Sequence, residues 1–205
     1  MTADEQSDDR ITAAVLSGST YEQARVLRHS LFGQPLTRQL SLQGLLLALL
    51  GTTVPLYWLF PESVAPYLTS TDPMTATPKV AMLGAFGGTI VFLSSVLLIG
   101  AALYRVEHEP LTESQARELL VLEDFTGGLT IGMGGLAILV TVLLFTMGLF
   151  GGDVVRSYVQ TMGGHNPFGG SEYDIPHGDL GVAALTASAL VLAVRWHVGR
   201  LFQEL

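Results

Sequence analysis

Long uncharged runs separated by short charged stretches make up most of this chain. Leu40–Phe60, Val80–Tyr104 and Phe125–Phe150 each contain no charged side chain. Each is as long as the roughly 20 apolar residues a helix needs to cross about 30 Å of hydrocarbon. A fourth run, Leu180 to Val194, is shorter and is bounded by Asp179 and Arg195. An arginine can extend its head to the membrane surface, so this helix is expected to continue through Trp196 and His197. The pattern predicts an all-α integral membrane protein, a four-transmembrane-helix bundle with spans at about 40–60, 80–104, 125–150 and 179–198. The 205 residues make one domain of spans, 39–205, preceded by an acidic tail with a short amphipathic helix, 1–38.

The positions of Lys and Arg predict the orientation. Arg10, Arg25, Arg28 and Arg38 precede the first span, Arg105 and Arg117 lie between the second and third, and Arg195 and Arg200 follow the fourth. The other side holds only Lys79 and Arg156. Positive loops stay inside, so both termini are expected in the cytoplasm of a multi-pass cell-membrane protein. Tyr57, Trp58 and Phe60 then close the first span outside, and Tyr104 and Trp196 mark the inner surface. Pro55 lacks a backbone N–H and should kink the outer part of the first helix. Met1 to Arg10 is acidic and polar, unlike a secretory signal, so the first span is expected to remain as an anchor.

Two stretches on the inner side share the pattern T-x-x-Q-A-R-x-L, Thr20 to Leu27 and Thr112 to Leu119. Thr at a helix start with Gln three residues on forms a capping box, which satisfies free amides. Each stretch should open a short cytoplasmic helix, the second over 112–124. There Ala116, Leu119, Leu120 and Leu122 form an apolar stripe suited to the membrane surface. The same offset carries the first span onto the third and the second roughly onto the fourth. This predicts two parallel repeats of cytoplasmic helix plus transmembrane hairpin.

Lipid gives apolar helices no hydrophobic reason to associate, so small residues must allow close approach. Gly84 and Gly88 in the second span, Gly128, Gly132 and Gly135 in the third, and Ala184 and Ser188 in the fourth supply such faces. They are expected to pack within the bundle, with contact to another subunit as the alternative for one pair.

Eighteen acidic against ten basic residues give a net charge of −8, unfavourable for nucleic acid. Only Lys79 is lysine; this acidic, lysine-poor composition resembles that of proteins from halophilic archaea. There is no cysteine, hence no disulfide, thiolate metal site or Cys nucleophile. Phosphate-loop, G-x-S-x-G and H-E-x-x-H signatures are also missing.

The outer loop 151–178 is the best place for chemistry. His165, Glu172, Asp174 and His177 could offer nitrogen and oxygen ligands to Zn²⁺ or Cu²⁺, although their spacing fits no defined motif. Asp179 is more simply the N-cap of the fourth span. His108 and His197 fall near the inner surface, too shallow for a buried haem, and no cofactor is expected. Thr52, Thr53, Ser94 and Ser95 are the hydroxyls that could line a polar path, though such groups commonly bond their own helix.

The sequence therefore points first to a non-enzymatic membrane subunit or accessory protein. Its partners would be the lipid bilayer and another membrane or cytoplasmic protein, or a second copy of itself. Arg25, Arg28, Arg117 and Leu119 are the expected partner or membrane-surface contacts. A small-solute transporter or channel is the alternative, and a metal- or haem-linked redox component comes third.

Overall fold

The computed structural model describes residues 36–108 and 110–204, the last four as backbone only. The first T-x-x-Q-A-R-x-L stretch, with Arg25 and Arg28, lies outside the described residues. Among them the chain is all-helical, with four helices long and apolar enough to cross a membrane. Span 1 is Leu36–Trp58, span 2 is Lys79–Glu107, span 3 is Glu113–Gly148 and span 4 is His177–Arg200.

Span 1 is divided into α1 (Leu36–Gly51) and α2 (Thr53–Trp58). The break falls where Pro55, four residues on, cannot bond the Gly51 carbonyl. Thr52 N–H bridges the gap by sharing the carbonyls of Ala48 and Leu49, each at 3.2 Å. Span 2 is one helix, α3 (Lys79–Glu107).

Span 3 differs from expectation. The helix that opens at Thr112 does not end near Asp124 but runs on through the span: α4 (Glu113–Leu129), a π-helical segment Thr130–Gly135, then α5 (Leu136–Gly148). The capping box itself is present, Thr112 Oγ1 accepting from Gln115 N–H while Gln115 Oε1 accepts from Thr112 N–H. Nothing between Asp124 and Phe125 breaks a helix, so the capped start and the apolar run fuse. The π segment, T-I-G-M-G-G, carries three glycines, which hold an α-helical turn weakly.

After α6 (Gly152–Thr161), span 4 opens α7 (His177–Glu204) two residues earlier than expected. Asp179 lies in the first turn, not at the cap, where its charge still suits the helix dipole.

In the bundle, span 1 packs along span 4, and span 2 touches all three other spans. The main core gathers Leu36, Leu40, Leu47 and Leu50 of span 1, Val91 and Leu98 of span 2, Ile138 of span 3 and Val191 and Val198 of span 4.

The end of the bundle away from Leu36 and Arg200 carries a cap built by two connections, 59–78 and 149–176. Backbone bonds knit them: Lys79 N–H to the Gly169 carbonyl, Val80 N–H to Pro167, Ser171 N–H to Thr77 and His177 N–H to Ala76. Gly151 turns the chain at φ 95°, and the next amide, Gly152 N–H, donates to Ser63 Oγ at 3.0 Å. The outer loop thus contributes Phe168, fully buried beside Tyr57, Val64, Phe145 and Val155.

Candidate functional site

Small residues set the distances between the spans. A Cβ built on Gly44 would lie 2.6 Å from Leu192 Cδ2, and one on Gly51 would lie 2.5 Å from Leu185 Cγ. Span 1 therefore accepts leucines of span 4 directly against its backbone. Ala184 and Ser188 of span 4 are buried, and Ser188 Oγ donates to the Gly44 carbonyl at 2.7 Å. Gly84 and Gly88 face span 1, each under Leu50.

Spans 2 and 3 approach with backbone against backbone at Gly87 and Gly134. A Cβ on Gly87 would stand 2.8 Å from the Gly134 carbonyl oxygen. Neither residue belongs to the G-x-x-x-G pairs singled out from sequence. The available signal was the doubled glycine, Gly87-Gly88 and Gly134-Gly135, which serves two neighbours from adjacent positions. Gly135 is buried within the π segment, where a Cβ would crowd the Thr130 carbonyl at 2.9 Å.

Gly128 and Gly132 behave differently. Gly128 is half-buried, while Gly132 is exposed with nothing within 4 Å of a Cβ placed on it. It forms a shallow notch between the exposed side chains of Phe125 and Leu136, on the outward face of span 3.

Below the cap, toward the termini, the interior is polar. Gln43, 1% exposed on span 1, donates from Nε2 to Thr130 Oγ1 at 2.9 Å, tying span 1 to the π segment. One and two turns nearer the termini lie Gln39 on span 1 and Thr126 and Glu123 on span 3, all buried. Glu123 escaped the sequence reading because span 3 was begun at Phe125. The signal was its place on the stripe Ala116, Leu119, Leu120, Glu123, Thr126, Thr130, one face at helical spacing.

Among the described residues, no group of three or more His, Asp or Glu could hold a metal. His165, Glu172 and Asp174 are exposed on the cap, whereas His177 is fully buried beneath it. Its ring stacks on Phe145, centroids 4.7 Å apart and planes at 11°, with Tyr57 at 5.9 Å. Tyr57 in turn donates its hydroxyl to the Ser70 carbonyl at 2.5 Å. By hydrogen-bond geometry neither ring nitrogen of His177 is satisfied among the described residues, although the Thr53 backbone interacts with the ring. Burial thus separates His177 from the other three candidate ligands, and this residue is a core aromatic. His108 is exposed and stacked on Tyr104, and His197 is exposed.

Three of the four hydroxyls suggested for a polar path are engaged locally. Thr52, Thr53 and Ser95 donate to the carbonyls of Leu49, Leu50 and Val91 in their own helices. Arg117 is exposed and pairs with Glu113 at 3.0 Å, whereas Leu119 is buried against α3 in a cluster with Ala101 and Leu120, away from any surface contact.

No family model matches the chain, and neither a curated protein nor a solved structure matches it.

Proposed function

We propose that this protein is a non-enzymatic, multi-pass membrane subunit, with both termini in the cytoplasm, that presents span 3 to a transmembrane helix of a partner. The observation that carries this reading is the outward notch at Gly132. Gly44, Gly51, Gly84, Gly87, Gly88, Gly134 and Gly135 each have a neighbouring helix close against them, whereas Gly132, like Gly100 of span 2, meets open space. Small residues on an outward face let a second helix come close, and in lipid this contact is a main source of association. The local bonding of the span hydroxyls supports a static scaffold over a polar path.

The orientation rests on the Lys and Arg bias, with eight basic residues on the side of the termini. The repeat of helix plus hairpin remains part of this reading, with the Thr112 capping box as its described half.

Filling the notch with Gly132→Leu should leave the bundle intact, because no described atom lies within 4 Å of the new Cβ. The expected result is loss of a co-purifying complex on native gels of mild-detergent extracts, with an unchanged melting temperature. An unaltered complex in Gly132→Leu would sink the proposal. If the lost complex is a homo-oligomer by mass, the partner is a second copy of this chain.

A further inference from the structure

We propose that α6 (Gly152–Thr161) lies flat in the bilayer surface at the cap end, with Val154, Tyr158 and Met162 sunk toward the acyl chains and Asp153, Arg156 and Gln160 turned to water. This rests on the reading of the four long helices as membrane spans, and it is independent of the partner proposed for Gly132.

The helix has three faces. Gly152, Val155 and Val159 turn into the cap, where Val155 is fully buried and Val159 packs against the cluster of Tyr57 and Phe168. Asp153, Arg156, Ser157 and Gln160 make an exposed polar face, with Asp153 and Arg156 paired at 3.2 Å. A second apolar stripe remains. Val154, Tyr158 and Met162 follow one another at spacings of four, with Val154 41% and Met162 48% exposed. At 3.6 residues per turn this stripe lies roughly a quarter turn from the buried face. A helix packed on a soluble protein needs one apolar face. One that abuts a bundle sideways while resting on lipid needs a second, with its charges opposite.

The stripe begins where two spans end. Span 3 exposes Leu136, Leu139 and Leu143 on one face, and Phe150 stands seven residues on, just past the end of α5. Span 1 ends at the same level, because Gly148 takes the Phe60 ring against its backbone, and Trp58 and Leu59 are exposed there. Gly151 then turns the chain at φ 95°, and α6 starts at the next residue. The outward apolar surface of span 3 therefore continues from Phe150 to Val154. Trp58 and Tyr158 are of the type that gathers at the headgroup level. The charge of the cap makes the contact apolar: its connections carry Glu62, Asp72, Asp153, Glu172 and Asp174 against Arg156, which gives anionic headgroups no attraction.

The chain has no cysteine, so single cysteines can be introduced and spin-labelled one at a time in the full protein, in phosphatidylcholine vesicles. Val154→Cys, Met162→Cys, Ser157→Cys, Gln160→Cys and Leu143→Cys all fall at exposed positions and should keep the parent's melting temperature. Labels at 154 and 162 should meet oxygen dissolved in the lipid more than a water-soluble nickel chelate, at a depth of about 5–10 Å into the boundary of headgroups and acyl chains. Labels at 157 and 160 should show the reverse. The label at 143 reports span 3 itself. Labels at 154 and 162 as open to the chelate as that at 160, with the label at 143 in lipid, overturn this inference alone. A label at 143 that is open to the chelate overturns the membrane reading with it. Labels at 154 and 162 that neither reagent reaches are covered by protein, which also overturns the lipid contact. So does a contact that forms only when anionic phosphatidylglycerol is added.

Discussion

Gly87→Leu is expected to destabilise the bundle by about 3 kcal/mol or more, whereas Gly100→Leu in the same helix should fall within about 0.5 kcal/mol of the parent. Both residues lie in α3 and both substitutions add the same side chain. Their neighbours differ. At Gly87 the first added carbon would stand 2.8 Å from the Gly134 carbonyl oxygen, 2.9 Å from Ala137 Cβ and 3.1 Å from Ile138 Cγ1. The nearest obstacle is backbone and cannot rotate away, so spans 2 and 3 must separate. At Gly100 there is nothing within 4 Å. Leucine favours a helix over glycine by somewhat under about 1 kcal/mol, too little to offset the clash at Gly87 but enough to cancel minor costs at Gly100. Reversible unfolding in detergent would measure both. Equal effects at the two sites would mean that the close approach of spans 2 and 3 does not exist.

His177 offers a test in which two substitutions should differ sharply in stability. His177→Ala removes a fully buried ring stacked on Phe145 at the junction of cap and spans, and should cost about 3 kcal/mol. His177→Phe keeps an aromatic ring there and removes two buried nitrogens that lack partners among the described residues. A buried polar group without a bond costs about 1–3 kcal/mol, so phenylalanine should match or exceed the parent even after some overpacking. Thermal unfolding of the two variants against the parent measures this. A His177→Phe protein as unstable as His177→Ala would show that the imidazole nitrogens serve a bond or a ligand, and would reopen the cap as a binding site.

These expectations depend on features that were legible in the sequence to different degrees. The Thr112 box was legible because capping is local chemistry: a hydroxyl and an amide three residues apart determine it. The end of the helix it opens was not legible. The stripe of Ala116, Leu119, Leu120 and Leu122 suggested a separate surface helix, yet an α-helix continues through any residues that do not break it. Glu123 consequently sits inside the bundle, on a face defined by helical spacing.

The glycines divide in the same way. Spacing of four places Gly84 with Gly88 and Gly128 with Gly132 on common faces, which is a property of one helix. Which face meets which neighbour is not. Gly84 and Gly88 meet Leu50, the backbone contact between spans 2 and 3 fell to Gly87 and Gly134, and Gly132 meets nothing. His165 and His177 looked equivalent as loop residues, but one is exposed and the other lies under Tyr57 and Phe145.

By itself, then, the sequence determined four helices long and apolar enough to cross a membrane, because hydrophobic length and the absence of charge are additive along the chain. Only the tertiary structure decided that spans 1 and 4 and spans 2 and 3 meet at backbone distance, that the π segment is tied to Gln43, and that the cap closes over His177. Those are contacts between residues up to 158 positions apart, as with Arg195 and Thr37. They depend on the rotation and register of whole helices, which no single helix contains.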